Sequence, residues 1–457
     1  MFIKIMKNIN LLNEDIFKLF WKIALPSSIG TIFQNLYSLV DAIFAGRMIS
    51  ETALAAIGQT FPIYFVIIAL GIGLSIATTS IIANSIGEKN FKKASNIFCQ
   101  SLILAFIVGI LISILGITYG SSILKSINDD GNTLLLSTKY MNVIYLGSIF
   151  ILLLMVTNSC LAALGDTKSY RNVLIFSFLL NIILNPILIS GSIFNFPIFK
   201  PLGIMGIALA TILSQMIGLI YLVYKITKTE IYNNFISKFF IPKLFLIREI
   251  LFQGIPASIG LMMIAIGSYI ILYFVSNFGN NAIAGFASAG RYEQLLFLPL
   301  LGLSTAVTSI VGQNFGAKQL ERILETFNKA ISTGLVILTI VAVILFFTAE
   351  ISMKLFTQDQ EVILYGSAYL KIWAFGFPAF PLFFIPNATY QGLKKPSIVM
   401  YMAILRFVLI PIIIITLINT YIGINYIYMF VGLVIMHWAV GIVYYFYSLN
   451  KIKKLII

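Results

Sequence analysis

Twelve runs of mostly apolar residues dominate this sequence and restrict what the chain can fold into. A helix needs about twenty apolar residues to cross a hydrocarbon layer of ~30 Å. The runs lie at 18–46, 53–85, 96–120, 136–162, 168–191, 203–226, 247–278, 282–314, 323–348, 361–391, 396–420 and 424–449. They predict an all-α membrane protein with twelve transmembrane helices.

The composition excludes a water-soluble fold. Of the 457 residues, 60% are hydrophobic and only 10% are charged, whereas soluble domains carry about 25% charged residues. The net charge of +14 comes from short basic clusters between the apolar runs, which indicate membrane topology rather than a nucleic-acid surface. The single His437 and the two cysteines, Cys99 and Cys160, offer neither a disulfide framework nor a metal cluster.

The basic residues orient the predicted helices. With the amino terminus inside, the leader, the even-numbered connections and the tail hold 22 of the 30 lysines and arginines, and the odd-numbered connections hold six. Cytoplasmic loops are enriched in basic residues. We therefore expect a plasma-membrane protein with both termini in the cytoplasm, and we interpret the first 17 residues as a cytoplasmic leader rather than a signal peptide.

The two halves of the chain repeat. Pro26-Ser-Ser-Ile-Gly30 matches Pro256-Ala-Ser-Ile-Gly260 at a shift of 230 residues, and Gly73-Leu-Ser matches Gly302-Leu-Ser at a shift of 229. Each repeat has six spans, so the two lobes should be parallel, related by an axis along the membrane normal, with a central cavity between them. The predicted parts are a leader (1–17), an N-terminal lobe (18–226), a linker (227–246), a C-terminal lobe (247–449) and a tail (450–457).

A polar stripe runs along the first span. Asp41 is costly inside a membrane, and helical steps place Gly30, Gln34 and Tyr37 on its face. The fifth and sixth spans add Ser177, Asn181, Asn185, Thr211, Ser214 and Gln215. At ~1.5 Å per residue, Asp41, Asn185 and Thr211 should lie at similar depths, roughly 7–12 Å below the outer surface. These three spans should therefore bring their polar groups together.

A carboxylate among amide and hydroxyl oxygens can accept a proton or coordinate sodium. Removal from water favours the protonated form of a carboxylate, and a bound cation opposes that change. The pattern predicts a cation-coupling site at Asp41, Asn181, Asn185 and Thr211, with a proton or sodium as the coupling ion and no other metal or cofactor. A purely structural hydrogen-bond network is the alternative interpretation.

The second half lacks this set of residues. At the repeat shift, Asp41 falls on Ile271 and Asn181 on Ile410, so we expect coupling in the first half only. Glu293 and Arg406 lie at middle depth and could form an ion pair, and we favour a structural pairing over a functional role. We interpret His437 as an interior histidine rather than a proton relay.

The residues that carry these patterns resemble the prokaryotic members of the multidrug and toxic compound extrusion (MATE) family. The similar segments are Pro26–Gly30, the run Gln34-Asn-Leu-Tyr-Ser-Leu-Val-Asp41, Asn158–Lys168 and Gly302–Lys318. The resemblance covers residues 15 to 450. It implies twelve helices in two lobes and the export of cationic or amphipathic drugs in exchange for protons or sodium.

The resemblance also implies roles for individual residues. The key first-helix aspartate of that family corresponds to Asp41, its fifth-helix site positions to Asn181 and Asn185, and a sixth-helix threonine to Thr211. Relatives often carry an aspartate where this chain has Asn185, and the acidic residue that another branch carries in the seventh helix is also missing. We assign the substrate cavity to Gln34, Tyr37, Asn158, Glu293 and Arg406.

Other functions fit the sequence less well. A flippase for a lipid-linked precursor is the alternative, but a pyrophosphate head group favours a strongly basic cavity, to which only Arg291 and Arg406 could contribute. An enzyme would need a nucleophile–base or metal set, and a receptor would favour an appended signalling domain. We therefore predict a monomeric exporter of small organic compounds, embedded in a lipid bilayer and without a nucleic-acid partner.

Overall fold

The computed structural model describes residues 9–127, 130–193, 196–423 and 425–456, and within these ranges the chain is almost entirely helical. The first half contains α1 (Ile16–Phe44, continued by a π-helical turn, Ala45–Ile49), α2 (Glu51–Gly87), α3 (Phe91–Ile127), α4 (Gly131–Ala163), α5 (Lys168–Ser190) and α6 (Ile204–Ile226). The antiparallel strands β1 (Ser192–Ile193) and β2 (Phe196–Pro197) form a hairpin between α5 and α6.

The second half begins after the short helix α7 (Glu230–Asn233) and a 3₁₀ turn (Ser237–Phe240). Its helices are α8 (Leu244–Val275, continued by the 3₁₀ turn Ser276–Phe278), α9 (Asn280–Gly316), α10 (Leu320–Lys354), α11 (Gln360–Ala374), α12 (Pro381–Gly392, after the 3₁₀ turn Phe377–Ala379), α13 (Pro396–Ile404), α14 (Ile410–Tyr421, after the π-helical turn Leu405–Leu409) and α15 (Tyr426–Ile456).

Eleven helices of the described residues are long and apolar enough to cross a membrane, where α1 and α8 are counted with their terminal turns and α13 is counted with α14. The segments Gln360–Ala374 and Phe377–Gly392 also pass as a pair bent by 43°. Counted as one span, this pair is the twelfth, and the predicted all-α membrane fold is confirmed. The predicted span 361–391 is nevertheless broken, because Pro378 and Pro381 cannot donate helical hydrogen bonds.

The chain from Asn10 onward divides into two compact units, Ile29–Ser258 and Asn10–Ser28 with Ile259–Ile457. The predicted lobes keep each long helix whole, whereas the compact units divide α1 after Ser28 and α8 after Ser258. Both divisions fall inside the repeated Pro-x-Ser-Ile-Gly segments. The start of α1 therefore packs within the second unit, and the start of α8 within the first.

Close packing of small residues explains this division. Within the first unit, a Cβ atom on Gly73 would lie 1.9 Å from Ser258 Oγ and 2.6 Å from the carbonyl oxygen of Gly254. Within the second unit, a Cβ atom on Gly302 would lie 2.1 Å from Ser28 Oγ. Small residues let membrane helices approach at backbone distance. In each unit, the glycine of a Gly-Leu-Ser motif thus contacts the serine of a Pro-x-Ser-Ile-Gly motif from the other half of the sequence.

The segments that precede α1 and α8 are held by side chains of α9, α10 and α3. Leu11 is buried, and its carbonyl oxygen accepts hydrogen bonds from Asn314 Nδ2 (3.2 Å) and Arg322 Nη2 (3.5 Å). A hydrogen bond from Lys22 lowers the pKa of Glu14 in the same segment. The predicted leader from Asn10 onward is therefore packed within the second unit.

The predicted linker 227–246 is likewise ordered by its contacts. Gln100 Nε2 donates to the carbonyl oxygens of Phe239 (2.7 Å) and Ile241 (2.9 Å), and the backbone N–H of Lys243 donates to Gln100 Oε1 (2.7 Å). Helix α8 begins at Leu244, three residues before the predicted span. The linker is therefore shorter than predicted and is fixed to α3.

The Gly73 contact gives a stability prediction. We expect Gly73→Ala to lower the free energy of unfolding by about 1–3 kcal/mol, because the added methyl group overlaps backbone atoms that must shift. The measurement is the thermal unfolding of the purified protein in detergent. Gly58→Ala is the matched control on the same helix, since its Cβ atom would meet no atom within 4 Å. Equal unfolding temperatures for the two variants would contradict the packing argument.

Candidate cation-binding site

Close packing of α1 on α5 brings Asp41 to its position in the first unit. A Cβ atom on Gly30 would lie 3.3 Å from Arg171 Cα, so the helices approach closely here. One turn further along, the rings of Phe33 and Phe178 meet edge to face with centroids 5.5 Å apart. The polar face of α1 that carries Asp41 consequently lies beside the fifth helix.

Helix α6 is fixed against α5 by backbone contacts. The N–H groups of Leu202 and Gly203 donate to the carbonyl oxygens of Leu188 and Ile189, both over 3.2 Å. A Cβ atom on Gly206 would lie 2.7 Å from the Leu188 carbonyl carbon, so only glycine permits this approach. These contacts place Thr211, about two turns along α6, opposite the fifth-helix asparagines.

Three helices meet at the Asp41 carboxylate. Asn185 Nδ2 donates to Asp41 Oδ1 over 2.9 Å, and Thr211 Oγ1 donates to Asp41 Oδ2 over 3.2 Å. Asn185 Nδ2 also donates to Asn181 Oδ1 over 2.9 Å. All four side chains are buried, and Asp41 is only 5% exposed. The structure therefore brings together every residue that the sequence predicts for the cation-coupling site.

The remaining polar atoms of this cluster decide what it can bind. Among the described residues, Asn185 Oδ1 and Asn181 Nδ2 are buried without a hydrogen-bond partner. Groups of three or more His, Cys, Asp or Glu side chains suited to a metal ion are absent from the same residues. The site therefore has one carboxylate with amide and hydroxyl neighbours, which can balance one positive charge.

Three tyrosines interact electrostatically with this carboxylate, and the sequence predicted only one of them. Tyr37, Tyr64 and Tyr140 all lie close enough to Asp41 to interact with its charge, from α1, α2 and α4 respectively. Only Tyr37 shares the helix face of Asp41, so helical spacing identified it alone. Contacts from α2 and α4 depend on helix packing, which no spacing in the sequence reports.

The other residues predicted to line the cavity are placed separately. Gln34 on α1 and Asn158 on α4 are half-buried and do not hydrogen-bond to Asp41. In the second unit, Glu293 accepts hydrogen bonds from Tyr369 Oη and, over 2.7 Å, from Trp373 Nε1. Aromatic donors therefore hold this carboxylate.

The expected ion pair between Glu293 and Arg406 is wrong. The three guanidinium nitrogens of Arg406 are buried and have no hydrogen-bond partner among the described residues. Two aromatic donors satisfy Glu293, so it does not need the arginine. His437 Nδ1 lies 2.9 Å from the Leu433 carbonyl oxygen, and its ring packs on Trp373 with centroids 4.8 Å apart. This position agrees with an interior histidine.

Comparison of the sequence with known proteins identifies a matching family model and several relatives. The MatE family model matches residues 26–187 and 256–417, one match in each half. The probable multidrug resistance protein NorM of Thermotoga maritima is 30% identical over 354 residues, which cover 77% of this chain and 74% of that protein. The probable multidrug resistance protein YoeA of Bacillus subtilis is 24% identical over 370 residues, covering 80% and 79%.

A solved structure extends this similarity to the whole fold. The MOP-superfamily transporter of Pyrococcus furiosus, described as having a binding pocket of reverse polarity that suggests a different function, is 27% identical. It covers 99% of this chain and is itself covered to 99%, with a TM-score of 0.90. The chain therefore has the fold of a solved transporter.

The asparagine at the centre of the cluster gives a second stability prediction. We expect Asn185→Ala to lower the free energy of unfolding by about 1–3 kcal/mol, because the buried Asp41 and Asn181 oxygens each lose their donor. Thermal unfolding at neutral pH measures this effect. Asn172→Ala, at an exposed position of the same helix, is the control and should unfold like the wild type. An Asn185→Ala variant that unfolds at the wild-type temperature would mean that the hydrogen bonds of Asn185 contribute nothing to stability.

Proposed function

Because the chain belongs to the MatE family of multidrug and toxic compound extrusion transporters, we propose that it is a secondary exporter driven by a cation gradient. Its substrates are cationic or amphipathic organic compounds, which it exchanges for protons. The buried Asp41 carboxylate, with donors from α5 and α6, is the observation that carries this proposal.

The hydrogen bonds explain how one ion can act on three helices. The ionised Asp41 accepts from Asn185 and Thr211, and both bonds require lone pairs on the carboxylate oxygens. A proton on Asp41 removes the charge and turns one oxygen into a donor. The bonds to α5 and α6 then weaken or rearrange. Protonation therefore biases the packing of α1 against these helices, which is the kind of change that alternating access requires.

The direction of the donors favours a proton over sodium. Asn185 and Thr211 present hydrogens to the carboxylate, whereas a sodium ion needs oxygen lone pairs on all sides. Asn185 Oδ1 lacks a hydrogen-bond partner among the described residues, and it would have to turn toward Asp41 to serve as a ligand. A proton needs only one carboxylate oxygen. Sodium held by Asp41, Asn181, Asn185 and Thr211 is the alternative.

The remaining parts of the proposal concern location and assembly. We place the exporter in the plasma membrane as a monomer with both termini in the cytoplasm, in accordance with the distribution of basic residues. We also place Gln34, Tyr37, Asn158, Glu293 and Arg406 along the substrate path. A flippase of lipid-linked precursors remains the alternative function, and the export of soluble dyes separates the two.

The central prediction concerns the titrating carboxylate. We expect Asp41→Asn to abolish export of a fluorescent organic cation from cells, because the amide keeps the shape of the side chain but cannot bind a proton. Export is measured as dye efflux after energisation, at matched expression and with correct membrane insertion.

Glu350→Gln is the control for this experiment, since Glu350 is an exposed carboxylate that forms an ion pair with Lys354 on its own helix. Its efflux should equal that of the wild type. Wild-type efflux by Asp41→Asn would refute the assignment of Asp41 as the coupling residue.

The second functional prediction concerns the ion and the unit that binds it. Efflux should collapse with a protonophore and change little when choline replaces sodium at fixed pH and membrane potential. Glu293→Gln should alter stability or substrate preference but not ion dependence, because its carboxylate is held by Tyr369 and Trp373. Sodium-dependent efflux that survives the protonophore would show that sodium, and not the proton, is the coupling ion. A loss of coupling in Glu293→Gln would refute the prediction that coupling is confined to the first unit.

A further inference from the structure

Arg406 is a buried arginine whose guanidinium nitrogens have no hydrogen-bond partner among the described residues. It is the largest fully buried side chain, with an exposed fraction of 0%. None of its nitrogens Nε, Nη1 and Nη2 has a hydrogen-bond partner among those residues. A buried guanidinium is normally paired with an anion, because leaving water without a partner is costly for a charge. This arginine therefore needs an explanation that packing alone does not supply.

Three phenyl rings cover the guanidinium but cannot satisfy it. The Arg406 Cζ atom lies 4.2 Å from the ring centroid of Phe383, 5.1 Å from that of Phe380 and 5.5 Å from that of Phe407. A ring face attracts the positive charge. A phenyl ring has no oxygen or nitrogen lone pair, however, so it does not satisfy the guanidinium N–H donors as an anion does. These donors lack a hydrogen-bond partner among the described residues.

The backbone around Arg406 departs from the α-helix at this position. Leu405–Leu409 form a π-helical turn between α13 and α14. Pro411 has no N–H to donate to the carbonyl of Phe407, four residues earlier. A Cβ atom on Gly267 would lie 2.5 Å from that carbonyl oxygen, so α8 packs directly against the turn. Such turns are frequent at functional sites, and this one fixes the position from which Arg406 projects.

We infer that Arg406 forms an anion-recognition site in the second unit, which binds the carboxylate group of an amphipathic substrate. The inference deepens the proposed export function, on which it rests, by adding an anionic group to the substrate class. Glu293 does not occupy this site, because two aromatic donors hold its carboxylate. An anion at this site would therefore come from a ligand.

A carboxylate fits this site better than a spherical ion. Two oxygens in one plane can accept two parallel hydrogen bonds from the edge of a guanidinium, and this bidentate geometry gives arginine its preference for carboxylates. Phe380 and Phe383 beside the guanidinium suit an apolar body attached to the carboxylate. Because Arg406 is fully covered, the covering rings must turn aside for the ligand to enter.

Benzoate is the probe that tests this site. Its binding to the purified protein in detergent is measured by calorimetric titration and by the rise in unfolding temperature, with sodium chloride at equal concentration as the ion control. We expect Arg406→Met to weaken benzoate binding by about tenfold or more, the loss typical of a charged hydrogen bond. Arg406→Lys should also weaken it, because lysine keeps the charge but not the planar fork.

A control variant completes the test. Arg291→Met, which removes an exposed arginine of the same unit, should bind benzoate like the wild type. Benzoate binding by the purified wild type is measured without a cation gradient, so a failure of the export proposal can be distinguished from a failure of this site. Without benzoate, Arg406→Met should be at least as stable as the wild type, because it removes an unpaired buried charge.

The outcomes separate a ligand site from a structural arginine. Unchanged benzoate affinity in both Arg406→Met and Arg406→Lys would overturn the proposal. Equal stabilisation of the wild type by chloride and benzoate would overturn the carboxylate as the ligand class. If Arg406→Met does not fold, the comparison of Arg406→Lys with Arg291→Met decides the question.

Discussion

Burial of the Asp41 carboxylate is the constraint on which the first unit depends. A charge that leaves water must find donors. Asn185 and Thr211 supply them from two other helices. Gly206 matters for the same reason, since a side chain at this position would push α6 away from α5.

The two units handle buried charge differently although their sequences repeat. In the first unit, amide and hydroxyl donors surround a carboxylate. In the second unit, aromatic residues dominate, with Tyr369 and Trp373 holding Glu293 and three phenyl rings covering Arg406. The repeat preserved the helix-packing motifs and not the charged residues. The two halves therefore share their helix-packing motifs and differ in their buried polar groups.

The predicted helices agree closely with the observed ones because an apolar run is a local property. Each run needs only its own length and composition to form a helix in a membrane. The exceptions are also local, since Pro378 and Pro381 bend the span that was predicted as one helix. Glu293 and Arg406 were wrongly paired because similar depth does not imply contact. Their actual neighbours come from α11, α12 and the π-helical turn.

By itself, the sequence determined the membrane fold, the internal repeat and the identity of the polar stripe that carries Asp41. Helical spacing and the high cost of buried charge suffice for these conclusions. Only the tertiary structure decided which groups meet the carboxylate, that Tyr64 and Tyr140 approach it, and that Arg406 lacks a partner among the described residues. Those features depend on how closely helices distant in sequence pack together, and a few ångströms at a glycine determine whether two side chains touch.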